Sequence, residues 1–158
     1  MATWEDLERM APEMAAAGRK LLYQYEQPLA YLATIRKDGG PRIHPFCPTI
    51  VAGSIYAFIG QSPKRFDLLR DGRFALHTFP CQGVDDEFLL MGRAVAVEEP
   101  ERRALVLKDL ESRGVKIAGG DAEKLFEFKI ERAMHAEYGG PPGTWPPKYA
   151  VWKAPNGA

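Results

Sequence analysis

The sequence has 158 residues, of which 46% are hydrophobic, and its 21 basic residues balance its 21 acidic ones. This length predicts one domain, residues 1–158, with a sizeable core, and the balanced charge argues against a sequence-independent grip on nucleic acid. Apolar runs are too short to cross a bilayer and the acidic N-terminus lacks an apolar signal core, so we expect a cytoplasmic protein.

The hydrophobic pattern predicts many short strands with a few helices between them. In chain order it predicts a helix over about 3–26, strands at 29–36, 42–51 and 54–60, a helix at 63–71, strands at 73–79 and 87–97, a helix at 101–113, and strands at 125–130 and 148–152. Residues 134–138 continue the strand at 125–130 or pair beside it, and residues 141–147 are predicted to form an ordered loop. This order favours a small closed or split barrel over about 29–153.

Two prolines, Pro45 and Pro48, interrupt the predicted strand 42–51. Because proline has no N–H to donate, it lies at sheet edges or bulges, so we expect a kinked and partly unpaired strand. The freed backbone groups suit the hydrogen-bonding edge of a planar ring, and a plain edge strand is the alternative interpretation. Gly92 predicts a bulge or bend in the strand 87–97 in the same way.

The predicted helix 63–71 begins with an unusual pair of charges. Ser62 is a good N-cap and Pro63 suits the first helical position, but Lys64 and Arg65 place two cations at the positive end of the helix dipole. A phosphate would favour both cations, because N–H groups, a hydroxyl and two side chains would converge on it. With the aromatic strand before it, this cluster predicts a site for a ring with a phosphate tail; a solvated basic surface is the alternative.

Other chemistry finds little support in the sequence. The three histidines are dispersed, without metal-ligand spacing, and predict no metal site: His44, His77 and His135. There is no GxGxxG motif and no nucleophile elbow. Cys47 and Cys81 form no CxxC pair and are interpreted as small hydrophobes. Trp145 and Trp152 either cover a ligand or a partner's surface or pack in the core.

Three strings in the sequence resemble, in this order, the pyridoxamine 5'-phosphate oxidase-like, FMN-binding split-barrel family: LATIRKDGGPRIHPF, IYAFIGQSPKRFDLLRDGRFAL and FLLMGRAV. The resemblance covers most of residues 29–97 and continues loosely through LFEFKIERA and YAVWKA. It implies a mainly β (α+β) fold, a six-stranded antiparallel Greek-key split β-barrel with flanking helices. It also implies a homodimer that holds FMN at the subunit interface.

The resemblance implies a set of cofactor-binding residues. The phosphate cluster falls on Ser62, Lys64 and Arg65, the ring-contacting strand on Arg42, Ile43, His44, Pro45 and Phe46, and the adjacent strand's contribution on Phe58 and Ile59. The chain departs from the family at Pro63, where members often carry a basic residue. Its ending, PPKYAVWKAPNGA, also lacks the basic substrate-binding segment of the true oxidases, which counts against pyridoxamine phosphate as the substrate.

We therefore expect an FMN-dependent oxidoreductase that acts on a small molecule, which the sequence does not name. No catalytic triad is needed, because the flavin supplies the redox chemistry itself. FAD, a deazaflavin and haem are the alternative cofactors. A non-catalytic flavin or haem binder, serving as carrier, scavenger or sensor, remains open, as does a barrel without ligand that acts as an interaction domain.

Overall fold

A computed structural model describes residues 1–81, 83–139 and 145–155. The helices are α1 (Trp4–Met10), α2 (Pro12–Leu22), α3 (Pro63–Arg70) and α4 (Pro100–Ser112). The strands are β1 (Ala30–Ile35), β2 (Pro41–Phe46), β3 (Thr49–Val51), β4 (Ser54–Ile59), β5 (Arg73–Thr78), β6 (Glu87–Ala96), β7 (Lys124–Glu137) and β8 (Lys148–Lys153). A 3-10 turn, Gly120–Ala122, precedes β7.

The broken strand joins the two edges of one antiparallel sheet. The strand order is β2-β1-β5-β6-β7-β4-β3, and β8 pairs with β7 outside this path. β2 and β3 are the two halves of the predicted strand 42–51, and Cys47 and Pro48 separate them. Since β2 pairs with β1 and β3 pairs with β4, the two halves together count as one strand of a curled six-stranded barrel. The predicted mainly β, split-barrel architecture is confirmed.

Gly92 marks a bulge in the longest strand pair of the barrel. The register between β6 and β7 shifts between Met91 and Gly92, which confirms the predicted irregularity. A Cβ atom placed on Gly92 would lie 1.9 Å from the carbonyl oxygen of Lys129. Only glycine permits this approach of the two backbones, and the bulge bends the sheet toward closure.

Two apolar clusters hold the fold together. Inside the barrel, the ring of Phe128 lies 5.6 Å from that of Phe46 and 5.0 Å from that of Phe74. α1 and α2 close one side of this core, and buried Trp4 meets Phe88 edge-on. A smaller cluster lies beneath α4 and is formed by Val51, Tyr56, Val106, Leu110 and Leu125. α4 therefore covers β3 and β4, next to the break in the strand.

The structure differs from the sequence prediction at the N-terminal end of the chain. The predicted helix 3–26 is two helices, because Pro12 begins α2 and has no N–H with which to continue α1. At the other end, β7 runs to Glu137, which confirms the first of the two alternatives for residues 134–138, that they continue the strand 125–130. The predicted loop 141–147 lies outside the described residues from 141 to 144. Among the described residues, no helix has the length and apolar character that crossing a membrane requires.

Candidate functional site

Helix α3 begins shortly after β4, and the hydroxyl of its N-cap residue does not cap the helix. Ser62 occupies the N-cap position, as the sequence predicts, but its Oγ donates to the carbonyl oxygen of Gly60 at 3.2 Å. The hydroxyl therefore accepts no N–H of the first turn. Pro63 has no N–H, and those of Arg65 and Phe66 donate to the carbonyl oxygen of Ser62, so the backbone N–H of Lys64 is the donor of this turn that an anionic ligand can use.

Lys64 connects the two halves of the predicted site. Its Nζ donates to the carbonyl oxygen of Pro45 at 3.1 Å, so the start of α3 and β2 are in direct contact. Burial lowers the pKa of Lys64, and nearby Cys47 and Glu123 partly oppose this effect. Among the described residues, no carboxylate lies within ion-pair distance of Lys64. A partly desolvated ammonium group of this kind is stabilised by a bound anion.

Two buried nitrogen atoms of the predicted site lack a hydrogen-bond partner within residues 1–81, 83–139 and 145–155. They are Nε2 of His44 and Nε of Arg65. An unpaired buried polar group costs about 1–3 kcal/mol, and most such groups in native proteins are paired. Arg65 Nη1 instead donates to the carbonyl oxygen of Ala122 at 2.8 Å. The two orphaned nitrogens fit a site that a polar ligand completes.

Asp67 anchors α3 to the barrel beneath these cations. Its carboxylate is 3% exposed and accepts from Thr34 Oγ1 at 2.9 Å, Arg42 Nε at 2.8 Å and Arg70 Nη2 at 3.1 Å. Burial raises the pKa of Asp67, but the bonds from Arg42, Thr34 and Arg70 outweigh burial and hold it below its usual value. Asp67 was not predicted as a site residue, although its position next to the apolar Leu68 in the helix was a signal that it could be buried.

We expect Asp67→Asn to lower the free energy of unfolding by about 2 kcal/mol at neutral pH, because charged hydrogen bonds are lost. A carboxyl whose pKa is lowered by folding stabilises the protein above its unfolded pKa, about 3.9, and loses this contribution as the pH falls through the folded pKa. The difference between variant and wild type should therefore shrink as the pH falls below about 4. Urea unfolding at a series of pH values measures this difference in the free energy of unfolding, and Asp121→Asn, at an exposed position, is the control. A difference independent of pH would contradict the charged role.

A cleft of about 380 Å³ lies beside Lys64, between the broken strand and the segment that follows α4. Its walls include Pro45, Phe46, Cys47, Ala57 and Phe58 on the barrel side and Val115, Lys116, Ile117 and Glu123 on the other. The walls are mostly apolar and include four charged side chains: Lys64, Arg113, Lys116 and Glu123. Both its size and this composition are typical of small-molecule and cofactor sites.

β2 divides the predicted ring-contacting residues between its two faces. Ile43 and Pro45 are exposed on the outer face, where Ile43 is 67% exposed. Arg42, His44 and Phe46 alternate with them and point inward, and the side chain of Phe46 belongs to the barrel core. The structure therefore brings Pro45 and Phe46 to the cleft, whereas Arg42 is held by Asp67.

The two predicted residues of β4 also differ in position. Phe58 lines the cleft, and the guanidinium carbon of Arg103 lies 4.8 Å from the centre of its ring. Ile59 is 1% exposed, so its side chain belongs to the core rather than to the cleft. Arg103 was not predicted as a site residue, because it lies 45 residues beyond Phe58 and no local pattern links the two.

Neither the protein-family models nor the curated proteins match the sequence, but solved structures do. A heme binding protein from Mycobacterium smegmatis has a TM-score of 0.64 and 16% identity, over 87% of this chain and 57% of that protein. A Clostridium acetobutylicum protein related to general stress protein 26 of B. subtilis, of the pyridoxinephosphate oxidase family, has a TM-score of 0.62 and 12% identity, over 94% and 95%. A NimC/NimA family protein from C. acetobutylicum has a TM-score of 0.59 and 18% identity, over 89% and 94%. These similarities confirm the split-barrel fold.

Proposed function

We propose that this split-barrel chain binds FMN and acts as an oxidoreductase on a small molecule. The supporting observation is the cationic corner at the start of α3. Lys64 lines the cleft and its Nζ donates to the carbonyl oxygen of Pro45. His44 and Arg65, which do not line the cleft, each keep a buried nitrogen without a partner among the described residues. A phosphate would complete the hydrogen bonds of this corner, and the apolar walls suit a planar ring. The pyridoxinephosphate oxidase family neighbour shares the fold and supports the same function.

Different residues of the chain would bind the phosphate and the ring of the cofactor. Lys64 and Arg65 would bind the phosphate through two cations, and the hydroxyl of Ser62 would join them by turning away from the carbonyl oxygen of Gly60. Pro45 would offer its backbone carbonyl oxygen to the ring from the broken strand, and Phe58 would supply an apolar wall. Bound FMN supplies hydride or electron transfer itself, and the protein orients the ring and excludes water from it.

The outer face of the sheet supports a homodimer as the functional unit. A row of apolar residues crosses four strands in register, from Ile43 through Ala33 and Ala75 to Met91. Ile43 is 67% exposed and Met91 is 36% exposed. Ala33 and Ala75 between them are half-buried. An apolar row that is exposed at both ends marks an interaction surface, and we infer that a second copy covers it. Pro45 lies on this same face at the edge of the cleft, so the flavin would lie near the subunit interface.

Haem is the second candidate ligand, and His44 favours it. Burial and the charges of Lys64 and Arg42 lower the pKa of His44, which favours the neutral imidazole, the form that binds iron. Its Nε2 has no partner among the described residues. The heme binding protein from M. smegmatis shares the fold. Under this alternative the chain is a carrier, scavenger or sensor rather than an enzyme.

The visible spectrum of the purified protein distinguishes the two candidates. We expect flavin absorbance bands, release of a ligand with the mass of FMN, and a particle of twice 17.6 kDa in sedimentation. Bleaching by NAD(P)H or a reduced deazaflavin, followed by reoxidation with a substrate, would distinguish an oxidoreductase from a flavin carrier. A Soret band on titration with haem, without flavin binding, would support the haem alternative. A colourless protein that ignores added FMN and haem would contradict both.

A further inference from the structure

The wall of the cleft that faces the barrel is a short segment between two anchored elements. Residues 114–119 connect the end of α4 to the 3-10 turn Gly120–Ala122. Buried side chains anchor α4. The guanidinium of Arg103 holds the turn, because it donates to the carbonyl oxygens of Gly120 at 3.1 Å and Glu123 at 2.8 Å. Movement of this wall is therefore confined to residues 114–119.

Few hydrogen bonds hold residues 114–119 in place. Their backbone–backbone bonds run to α4 and to the turn, as from the N–H of Val115 to the oxygen of Leu110 at 2.9 Å and from the N–H of Gly120 to the oxygen of Ile117 at 3.2 Å. Within the described part of the chain, none of these bonds reaches a strand of the barrel. Val115 and Ile117 are half-buried and pack against the cluster beneath α4. A segment with so few bonds opens at a low cost in free energy.

The same segment borders two cavities. Val115, Lys116 and Ile117 line the cleft of about 380 Å³, and they also line a second cavity of about 540 Å³, whose other walls belong to α4 and to the turn. The half-buried side chain of Leu107 gives this second cavity an apolar surface. The segment therefore has space to move away from the barrel without displacing another element.

Glycines with positive φ stand at both ends of the segment. Gly114 has a φ of 73° and Gly120 a φ of 52°, and a Cβ atom placed on either would meet no atom within 4 Å. Backbone conformation, rather than lack of space, therefore favours glycine at these two positions. Hinges are positions that absorb a change of φ and ψ between two arrangements, and glycine makes such a change at low cost.

We propose that residues 114–119 form a lid, hinged at Gly114 and Gly120, that swings outward to admit a ligand to the cleft and then closes over it. The structure has the closed arrangement, in which Val115 and Ile117 lie across the cleft from Phe58. Closure excludes water from a ring bound between these apolar side chains. With FMN as the ligand, the inference rests on the proposed function.

The first test measures opening of the lid in the free protein. Alanine disfavours the positive φ of the closed hinge but not the open arrangement, so Gly114→Ala and Gly120→Ala should each speed amide hydrogen exchange across residues 114–120 by about tenfold. Mass spectrometry of peptides that span the lid measures the exchange. Gly39→Ala is the matched control, because Gly39 has a φ of 83° with open space around it but lies in the turn between β1 and β2. It should leave exchange in the lid unchanged.

The second test follows FMN binding by stopped-flow fluorescence. The lid is closed before and after binding in this scheme, so a strained hinge favours opening equally in the free and bound protein. Gly114→Ala and Gly120→Ala should therefore raise the association and dissociation rate constants by the same factor, about tenfold, and leave Kd unchanged. Gly39→Ala should change neither rate constant.

Several results would overturn the lid, and they are separable from failure of the proposed function. Exchange in both hinge variants that matches the Gly39 variant removes the hinges. A response of Gly114→Ala alone belongs to the residue that ends α4, because a lid needs both hinges. A higher Kd at an unchanged association rate indicates a damaged site. A wild type that does not bind FMN rejects the proposed function, whereas the exchange comparison still decides the lid.

Discussion

Replacing Lys64 and Arg65 together by alanine is expected to weaken FMN binding by at least about a hundredfold, because each charged hydrogen bond to a phosphate contributes about 1.5–3 kcal/mol. Lys64 has no carboxylate partner among the described residues, and Arg65 has a buried nitrogen to spare. Each side chain donates one hydrogen bond to a backbone carbonyl, Lys64 to Pro45 and Arg65 to Ala122, but neither forms an ion pair with a carboxylate among the described residues, so both charges can act on a phosphate. Dialysed protein should lose its flavin, and calorimetry with added FMN measures the change in Kd.

A matched control removes the same two charges from exposed positions elsewhere, as Lys108→Ala with Arg132→Ala. This control should retain FMN with the wild-type Kd, and both double variants should keep a cooperative thermal transition. Undiminished flavin retention in the Lys64 and Arg65 variant would refute the placement of the phosphate. Equal losses in both double variants would show that only net charge matters.

The second large effect is expected at the bulge. Gly92→Ala should lower the free energy of unfolding by more than about 3 kcal/mol, which is near the upper end for single substitutions. The new Cβ would lie 1.9 Å from the carbonyl oxygen of Lys129 and 3.1 Å from the backbone nitrogen of Glu131. These are backbone atoms of the paired strand, so relief requires β6 and β7 to separate and lose ladder bonds.

Gly60→Ala is the control for this substitution, since its new Cβ would meet nothing closer than Cγ of Glu123 at 4.0 Å. Urea unfolding of both variants gives the two free energies. The control should stay within about 1 kcal/mol of the wild type. A Gly92 variant as stable as the Gly60 variant would mean that the two strands can part locally at little cost.

The features that the sequence predicted well are encoded by neighbouring residues. Pro45 and Pro48 predict a broken strand, and Gly92 predicts a bulge. Pro63 after Ser62 predicts the start of a helix. Each of these residues restricts or permits a conformation of its own backbone, so the feature can be recognised from a single sequence. For the same reason most strands and their approximate ends were predicted.

The features that escaped prediction depend on pairing across the fold. Which sheet edge each half of the broken strand joins is decided by long-range register, and no local pattern specifies it. The same holds for Asp67, whose partners Thr34 and Arg42 lie on other strands, and for Arg103 over Phe58. Ile59 lies in the barrel core with Ile55 and Ala57, whereas Phe58 lies with Tyr56 in the cluster beneath α4; which face of β4 meets the cleft depends on how α4 packs, and no local pattern specifies that.

The break at Cys47 and Pro48 also bears on how the domain responds to occupancy of the cleft. The residues on either side of the break belong to opposite borders of the sheet, since Ala30 opposes Phe46 while Thr49 opposes Tyr56. A ligand bound at the break contacts both edges of the sheet and opposes their separation when the barrel unfolds. We therefore expect ligand binding in the cleft to stabilise the entire domain, and not only one loop, against thermal denaturation. The gain in the free energy of unfolding should grow with the logarithm of the ligand concentration.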